Sequence, residues 1–145
     1  MLFSKSCKYG LKATLFVAQK SQIEERVSLK EIATAIDSPI AFTAKILQVL
    51  SKTGIISSSK GIHGGYQIEK DRLAKISLKQ IVEAIDGKRL FEGCALGLDS
   101  CNANTPCPLH TELVNIRNKL SEVLTSSNLK DVAMDLNLGL AVLKR

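Results

Sequence analysis

Leu11, Leu15 and Ala18 recur at i, i+4 and i+7, a spacing that predicts a first helix over residues 7–20 with one apolar stripe. Lys5, Lys8 and Lys12 fall near the same end of it. Leu29, Ile32, Ala33 and Ile36 then repeat the helical spacing. Ser28-Leu29-Lys30-Glu31 at their start is a capping box, in which Ser and Glu each satisfy the other's free backbone N–H. The pattern breaks at Asp37-Ser38-Pro39, where Ser38 suits an N-cap and Pro39 the first helical position. A third helix is expected to about Thr53, with Thr43, Ile46, Leu47 and Leu50 inward and Gly54 just past its end.

Residues 55–59 then read as a strand, 60–65 as a turn and 66–68 as a returning strand. Helix, turn, helix and hairpin in that order make a winged helix. Ser77-Leu78-Lys79-Gln80 is a second capping box, followed by Ile81, Val82 and Ile85 on one face and a stop at Gly87. Residues 91–108 are rich in Gly, Asn, Asp and Cys and lack periodicity. Leu109, Leu113, Ile116, Leu120 and Val123 follow at spacings of 4, 3, 4 and 3, the a/d seam of a coiled coil. Asn128-Leu129-Lys130-Asp131 suits the start of a short last helix, and beyond Asp135 the pattern fits helix and strand equally. The class expected is mainly α with a small β-hairpin.

Composition agrees with a soluble globular chain: 145 residues, 45% hydrophobic, 23% charged. Aromatics are 4% and Trp is absent, so the core has to rest on Leu, Ile, Val and Ala. No apolar run approaches the ~20 residues of a membrane span, and the N-terminus lacks the pattern of a secretory signal. The expectation is a cytoplasmic protein with reduced thiols and no membrane partner. The two histidines, and the lack of a G-x-S-x-G, P-loop or H-E-x-x-H motif, speak against an enzyme and against a small-molecule substrate.

Charge adds a direction. Residues 1–90 carry 15 Lys/Arg against 8 Asp/Glu, a net +7, while residues 91–145 carry 5 against 6, a net −1. On charge alone a polyanionic partner and a plain basic surface weigh equally. Some winged helices serve only protein contacts, and the basic bias here tilts the balance toward double-stranded DNA. With its inner face fixed, the third helix would turn Ala41, Ala44, Lys45 and Gln48 outward. Lys45 suits guanine or phosphate, Gln48 adenine, and the alanines thymine methyls. Phe42 either joins them or packs inward, and Ser38 stands at the helix start. On the wing, Ser57, Ser58, Ser59 and Lys60 offer phosphate donors. Gly61, Gly64 and Gly65 allow close backbone approach or simply make the turn, beside His63 and Tyr66.

Of four cysteines, Cys94, Cys101 and Cys107 fall within fourteen positions, with His110 three residues on. Thiolates and imidazole ligate zinc and iron–sulfur clusters, and the spacing alone leaves both open. There is no C-x-x-C, which weakens zinc-ribbon and thioredoxin-type readings. Cys7, alone on the first helix, reads as a small buried residue.

These residues bear a resemblance along nearly the whole chain. Tyr9-Gly10-Leu11-Lys12-Ala13, Ser28-Leu29-Lys30-Glu31-Ile32-Ala33, the run from Leu47 to Ile56 and the wing Lys60-Gly61-Ile62-His63-Gly64-Gly65-Tyr66 resemble the IscR/NsrR-type (Rrf) family of winged-helix iron–sulfur transcription regulators. The resemblance implies a homodimer paired by its long helices on a pseudo-palindromic operator. It implies an iron–sulfur cluster that controls DNA affinity, sensing redox, iron–sulfur status or nitric oxide. Cys94, Cys101 and Cys107 match the three cluster cysteines, and His110 the histidine ligand of the IscR-like branch. The gap from Cys94 to Cys101 is one residue longer than the commonest spacing. Lys8 and Lys12 stand where other branches place an acidic residue and a histidine. That favours His110 and a [2Fe–2S] cluster, with [4Fe–4S] as the alternative. The expected organisation is a winged helix-turn-helix DNA-binding domain over 1–90, a cluster-binding loop over 91–108, and a long dimerisation helix with its tail over 109–145. A metal-free thiol-redox regulator and a zinc-containing winged helix remain the competing readings.

Overall fold

Helix α1 (Lys5–Ser21) starts where Ser4 Oγ accepts the Cys7 N–H at 3.0 Å. In the computed structural model, which describes residues 2–145, α1 is packed on by α2 (Leu29–Ala35), α3 (Ile40–Lys52), α5 (Leu78–Asp86) and α8 (Leu129–Asn137). This central place changes which residues it buries. Leu11 and Leu15 of the expected stripe are half-buried, whereas Cys7, Ala13, Thr14, Val17 and Ala18 are sealed. Close packing on several sides favours small side chains, and Gly10 is the point where Ile85 and Ile46 reach the α1 backbone.

The capping box of α2 forms as its sequence requires. Glu31 Oε2 accepts the Ser28 N–H at 2.6 Å, and Ser28 Oγ accepts the Glu31 N–H at 3.1 Å. Asp37 makes the turn to α3 at φ 53°, a left-handed conformation in which Asp is enriched among non-glycine residues. The start of α3 differs from expectation by one residue. Pro39, at ψ 138°, is still extended and acts as the N-cap, its carbonyl accepting the Thr43 N–H at 2.9 Å. Ser38 therefore does not cap the helix, and its Oγ is enclosed with no partner. Thr43, Ile46, Leu47 and Leu50 face inward, and Gly54 follows the helix at φ +76°.

Strands β1 (Ser57–Ser59) and β2 (Gly65–Gln67) pair antiparallel, with Ser57, Ser58 and Ser59 opposite Gln67, Tyr66 and Gly65. The first strand is shorter than the sequence suggests, because the Ile55 and Ile56 N–H groups donate to the Leu50 carbonyl at the end of α3, at 3.0 and 3.3 Å, instead of to a ladder. Val27 adds a rung the sequence did not signal, exchanging backbone hydrogen bonds with Tyr66 at 3.1 and 2.7 Å. A single turn, α4 (Lys70–Leu73), leads to α5. There the Ser77 N–H donates to Gln80 Oε1 at 2.8 Å and the Gln80 N–H to Ser77 Oγ at 3.3 Å. Gly87 ends α5 at φ +74°.

After the short α6 (Arg89–Glu92) the chain is irregular until α7 (His110–Ser126). Asn128 caps α8 through its Oδ1, which accepts the Asp131 N–H at 3.0 Å. Two backbone bonds lock this junction to α5: Leu78 N–H to Ser127 O at 2.9 Å, and Leu129 N–H to Ile76 O at 3.1 Å. Leu129 and Ala133 are fully buried in the main core with Ile32, Ile36, Leu47, Leu50, Ile56 and Ile81. A smaller cluster of Cys7, Val82, Phe91 and Leu124 joins α1, α5, α6 and α7. The expected seam of α7 divides. Leu113 and Leu120 are half-buried, while Leu109, Ile116 and Val123, one per heptad, are 48%, 64% and 48% exposed. Among the described residues, no helix is long and apolar enough to cross a membrane.

Candidate functional site

On α3, Ala41, Lys45 and Gln48 are exposed and Ala44 is half-buried. Phe42 packs edge-on against Tyr9, with centroids 5.6 Å apart and an interplanar angle of 88°. Lys5 Nζ lies 5.7 Å from the Phe42 centroid and Lys12 Nζ 5.2 Å from that of Tyr9, so the lysines of α1 stand beside the start of α3. Ring and ammonium attract each other at such distances. On the wing, Ser57, Ser58, Ser59, Lys60, Gly61 and His63 are exposed, and Gly64, Gly65 and Tyr66 half-buried. Gly61 at φ +98° and Gly65 at φ +131° need glycine's freedom, and a Cβ on Gly64 would strike the Ser59 carbonyl.

Two wing residues were not singled out from sequence. Arg26 braces the hairpin, its Nε donating to Gln67 Oε1 at 3.1 Å and its NH1 to the His63 carbonyl at 3.5 Å. Only the Val27–Tyr66 rung, a long-range pairing, brings it there. Ile62 is 98% exposed at the apex, an isolated apolar residue in a polar turn, and that isolation was a readable signal.

The second region is a cavity of about 230 Å³. Cys94, Cys101, Cys107 and His110 all line it, with Leu90, Leu113 and Arg117. His110 is the first residue of α7, and its N–H is held by the Cys107 carbonyl at 3.0 Å. Its Nδ1 lies 3.6 Å from Cys101 Sγ. The backbone N–H groups of Leu98 and Leu96 point at the Cys94 sulfur and, with a smaller contribution from the Cys107 side chain, hold that thiol below its ordinary range. Arg117 NH1 ties the Gly93 carbonyl to α7 at 3.1 Å.

The four donors thus share one cavity, and within it Cys101 and His110 form a close pair. Among the described residues no three His, Cys, Asp or Glu side chains converge closely enough to hold a metal ion as they stand. Three thiols and an imidazole are nevertheless a donor set suited to zinc or iron–sulfur ligation, and they sit on an irregular loop that can draw them together. Cys7 is not part of this set. It is sealed between α1, α5 and α6, and its thiol is pushed up to about 12 by burial, then by the charge of Asp86 and a hydrogen bond with it.

The chain matches the model of the Rrf2 family, described as an iron-dependent transcriptional regulator, over residues 3–135. It is 29% identical over 134 residues to an HTH-type transcriptional regulator of Aquifex aeolicus (strain VF5), covering 91% of each chain. It is 27% identical over 135 residues to the HTH-type transcriptional regulator IscR of Vibrio cholerae serotype O1, covering 93% of this chain and 76% of that one. The structure of CymR (YrzC), the global cysteine regulator of B. subtilis, matches with a TM-score of 0.74 at 27% identity, covering 91% of this chain and 95% of that one. These relatives are named as regulators of transcription, not as enzymes. The fold, mainly helical with a two-stranded hairpin, is the winged helix of such regulators. The chain belongs to the Rrf2 family of DNA-binding transcription regulators.

Proposed function

We propose that this protein is a homodimeric, cytoplasmic regulator that binds a pseudo-palindromic operator, with an iron–sulfur cluster on Cys94, Cys101, Cys107 and His110 setting its affinity. The observation that carries this reading is the single cavity lined by all four donors, with Cys101 3.6 Å from His110. Three thiols and one imidazole suit a [2Fe–2S] cluster, and [4Fe–4S] is the alternative. When bound, the cluster supplies a redox centre that oxidants and nitric oxide can disrupt.

The chain's own residues turn that event into a change at DNA. His110 holds the start of α7, and the three cysteines hold the loop between α6 and α7. Phe91 of α6 anchors the near end of that loop in the small cluster with Cys7 and Val82. With His110 at one end and Cys94 at the other as ligands, a bound cluster would draw the loop short and hold α7 against α5 and α6. Leu109, Ile116 and Val123 pair α7 with its copy, so the angle of α7 sets the distance between the two α3 helices. Half-sites lie about one turn apart, roughly 34 Å, so small changes in that distance weaken binding. At each half-site Lys45 and Gln48, with Ala41 and Ala44, read base edges from α3. Ser57, Ser58, Ser59, Lys60 and the backbone at Gly61, Gly64 and Gly65 hold phosphates.

The test is an absorption spectrum of protein purified without oxygen, with iron, sulfide and zinc assays. Visible charge-transfer bands with matched iron and sulfide are expected. A colourless protein that stays iron-free after anaerobic reconstitution overturns the cluster.

The lining of one cavity by Cys94, Cys101 and Cys107 favours one second reading, a thiol switch between two of them. An oxidant such as a peroxide would take two electrons and two protons as the sulfur–sulfur bond forms. Alkylation mapping before and after oxidant separates it, since only the switch hides two of these thiols reversibly in metal-free protein.

A further inference from the structure

Arg117 occupies an unusual position beside the cysteine site. His110, Leu113, Arg117 and Leu120 fall at i, i+3, i+7 and i+10 and line the cavity from one face of α7. One arm of the guanidinium is used, NH1 donating to Gly93 O at 3.1 Å. Its Nε is buried and has no hydrogen-bond partner. A buried donor without an acceptor is costly, and arginine cannot shed its charge to relieve the cost. The side chains around the cavity offer it little: leucines, Val114, Ile116, Ala95 and a second cation, Arg89. No carboxylate lines the cavity among the described residues, and the side-chain acceptors there are the three sulfurs and the imidazole.

The charge balance points the same way. Three thiolates on a divalent ion, or on the doubly positive core of an oxidised [2Fe–2S] cluster, leave a net negative charge. In a cavity walled by Leu90, Leu113 and Leu120 that charge needs a fixed positive partner.

We propose that Arg117 is a positioning residue of the cysteine site: its Nε donates to sulfur in the ligated state and its charge balances the thiolates, while NH1 keeps Gly93, next to Cys94, on α7. This rests on the reading of the cavity as a metal site. The residue links ligation to loop position, because one side chain spans the ligand set and the loop backbone.

Cobalt(II) alone is the probe, titrated into anaerobic, fully reduced protein and followed by its thiolate-to-cobalt charge-transfer bands. The variants are Arg117→Met, Arg117→Gln and Arg117→Lys, with helix content and melting temperature measured on each. Arg117→Gln keeps an N–H for Gly93 without the charge, and so serves if the methionine variant fails to fold. The Met and Gln variants are expected to bind cobalt about ten- to a hundredfold more weakly, with shifted bands. Arg117→Lys should recover part of the affinity. Equal affinity and an unchanged spectrum in Arg117→Gln overturn the proposal while leaving the metal site standing. So does a lysine variant no better than glutamine, which would reduce Arg117 to a structural strut. Wild-type protein that takes up neither cobalt nor iron removes the metal site and this role with it.

Discussion

Cys101 Sγ and His110 Nδ1 meet at 3.6 Å, joining the middle of the cysteine loop to the first residue of α7. A contact at a helix start is well placed to steer the whole helix, since α7 runs seventeen residues as one rod. His110→Ala should therefore shift the absorption spectrum of the reconstituted cluster and lower metal affinity about tenfold or more, with little change in helix content. An unchanged spectrum assigns the fourth ligand elsewhere.

The thiols should differ in reactivity by more than about tenfold in metal-free protein. Cys94, held low by the N–H groups of Leu98 and Leu96, reacts first with iodoacetamide near neutral pH, and Cys7 reacts last. Peptide mapping after short exposures reads the order.

Cys7 also gives stability a dependence on alkaline pH. Its folded-state value is raised from 9.0 to about 12, so the native protein keeps a proton that the unfolded chain releases. The associated stability is whole below pH 9 and is lost as pH rises from there towards 12. Melting temperature should fall over that range in wild type and fall less steeply in Cys7→Ala, each compared with its own value at pH 8. Parallel slopes would mean that other groups govern the alkaline limb.

At the DNA surface, Gln48→Ala should cost about 1–3 kcal/mol at the cognate operator and relax preference at one base pair. Lys45→Ala should separate base reading from phosphate contact: a phosphate role weakens all sequences alike and lowers the salt slope by about 1. Fluorescence anisotropy on cognate and scrambled duplexes at several salt concentrations distinguishes them.

Much of this arrangement was legible in the residues because it rests on local rules. The capping boxes at Ser28 and Ser77, the inward set Thr43, Ile46, Leu47 and Leu50, and the Asn128 cap each depend on neighbours within a turn or two. What escaped depends on distant partners. The stripe of α1 misled because helices pack around several sides of it, and Leu11 and Leu15 gave way to Cys7, Thr14 and Val17 as its buried face. Ser38 looked like a cap by type, but the extended ψ of Pro39 moved the helix start beyond its reach. Arg26 and Arg117 were silent in the sequence, since each acts on backbone that only folding brings near, at His63 and Gly93.

The exposed stripe of α7 makes a simple claim about assembly. Ile116 is 64% exposed and central among Leu109, Ile116 and Val123. Ile116→Glu should leave the monomer fold within about 0.5 kcal/mol, as exposed substitutions usually do, yet yield a monomer by sedimentation. Operator affinity should fall steeply because each half-site then binds alone. A variant that still sediments as a dimer would put the interface on another surface.

The return of α8 onto α1 has a consequence for how the protein could be cut or grafted. Leu129 and Ala133 fill the same core as Leu47 and Ile56, and Gln22 of the loop after α1 donates to the Lys130 carbonyl at 2.9 Å. A fragment ending at residue 127 would open a hole beneath the winged helix. Losing one buried leucine costs about 2–5 kcal/mol, much of the roughly 5–15 kcal/mol that keeps a domain folded. The N-terminal segment is thus a poor candidate for transplanting as a free-standing module. The last helix is its keystone, part of the winged helix's own core rather than a tail behind it.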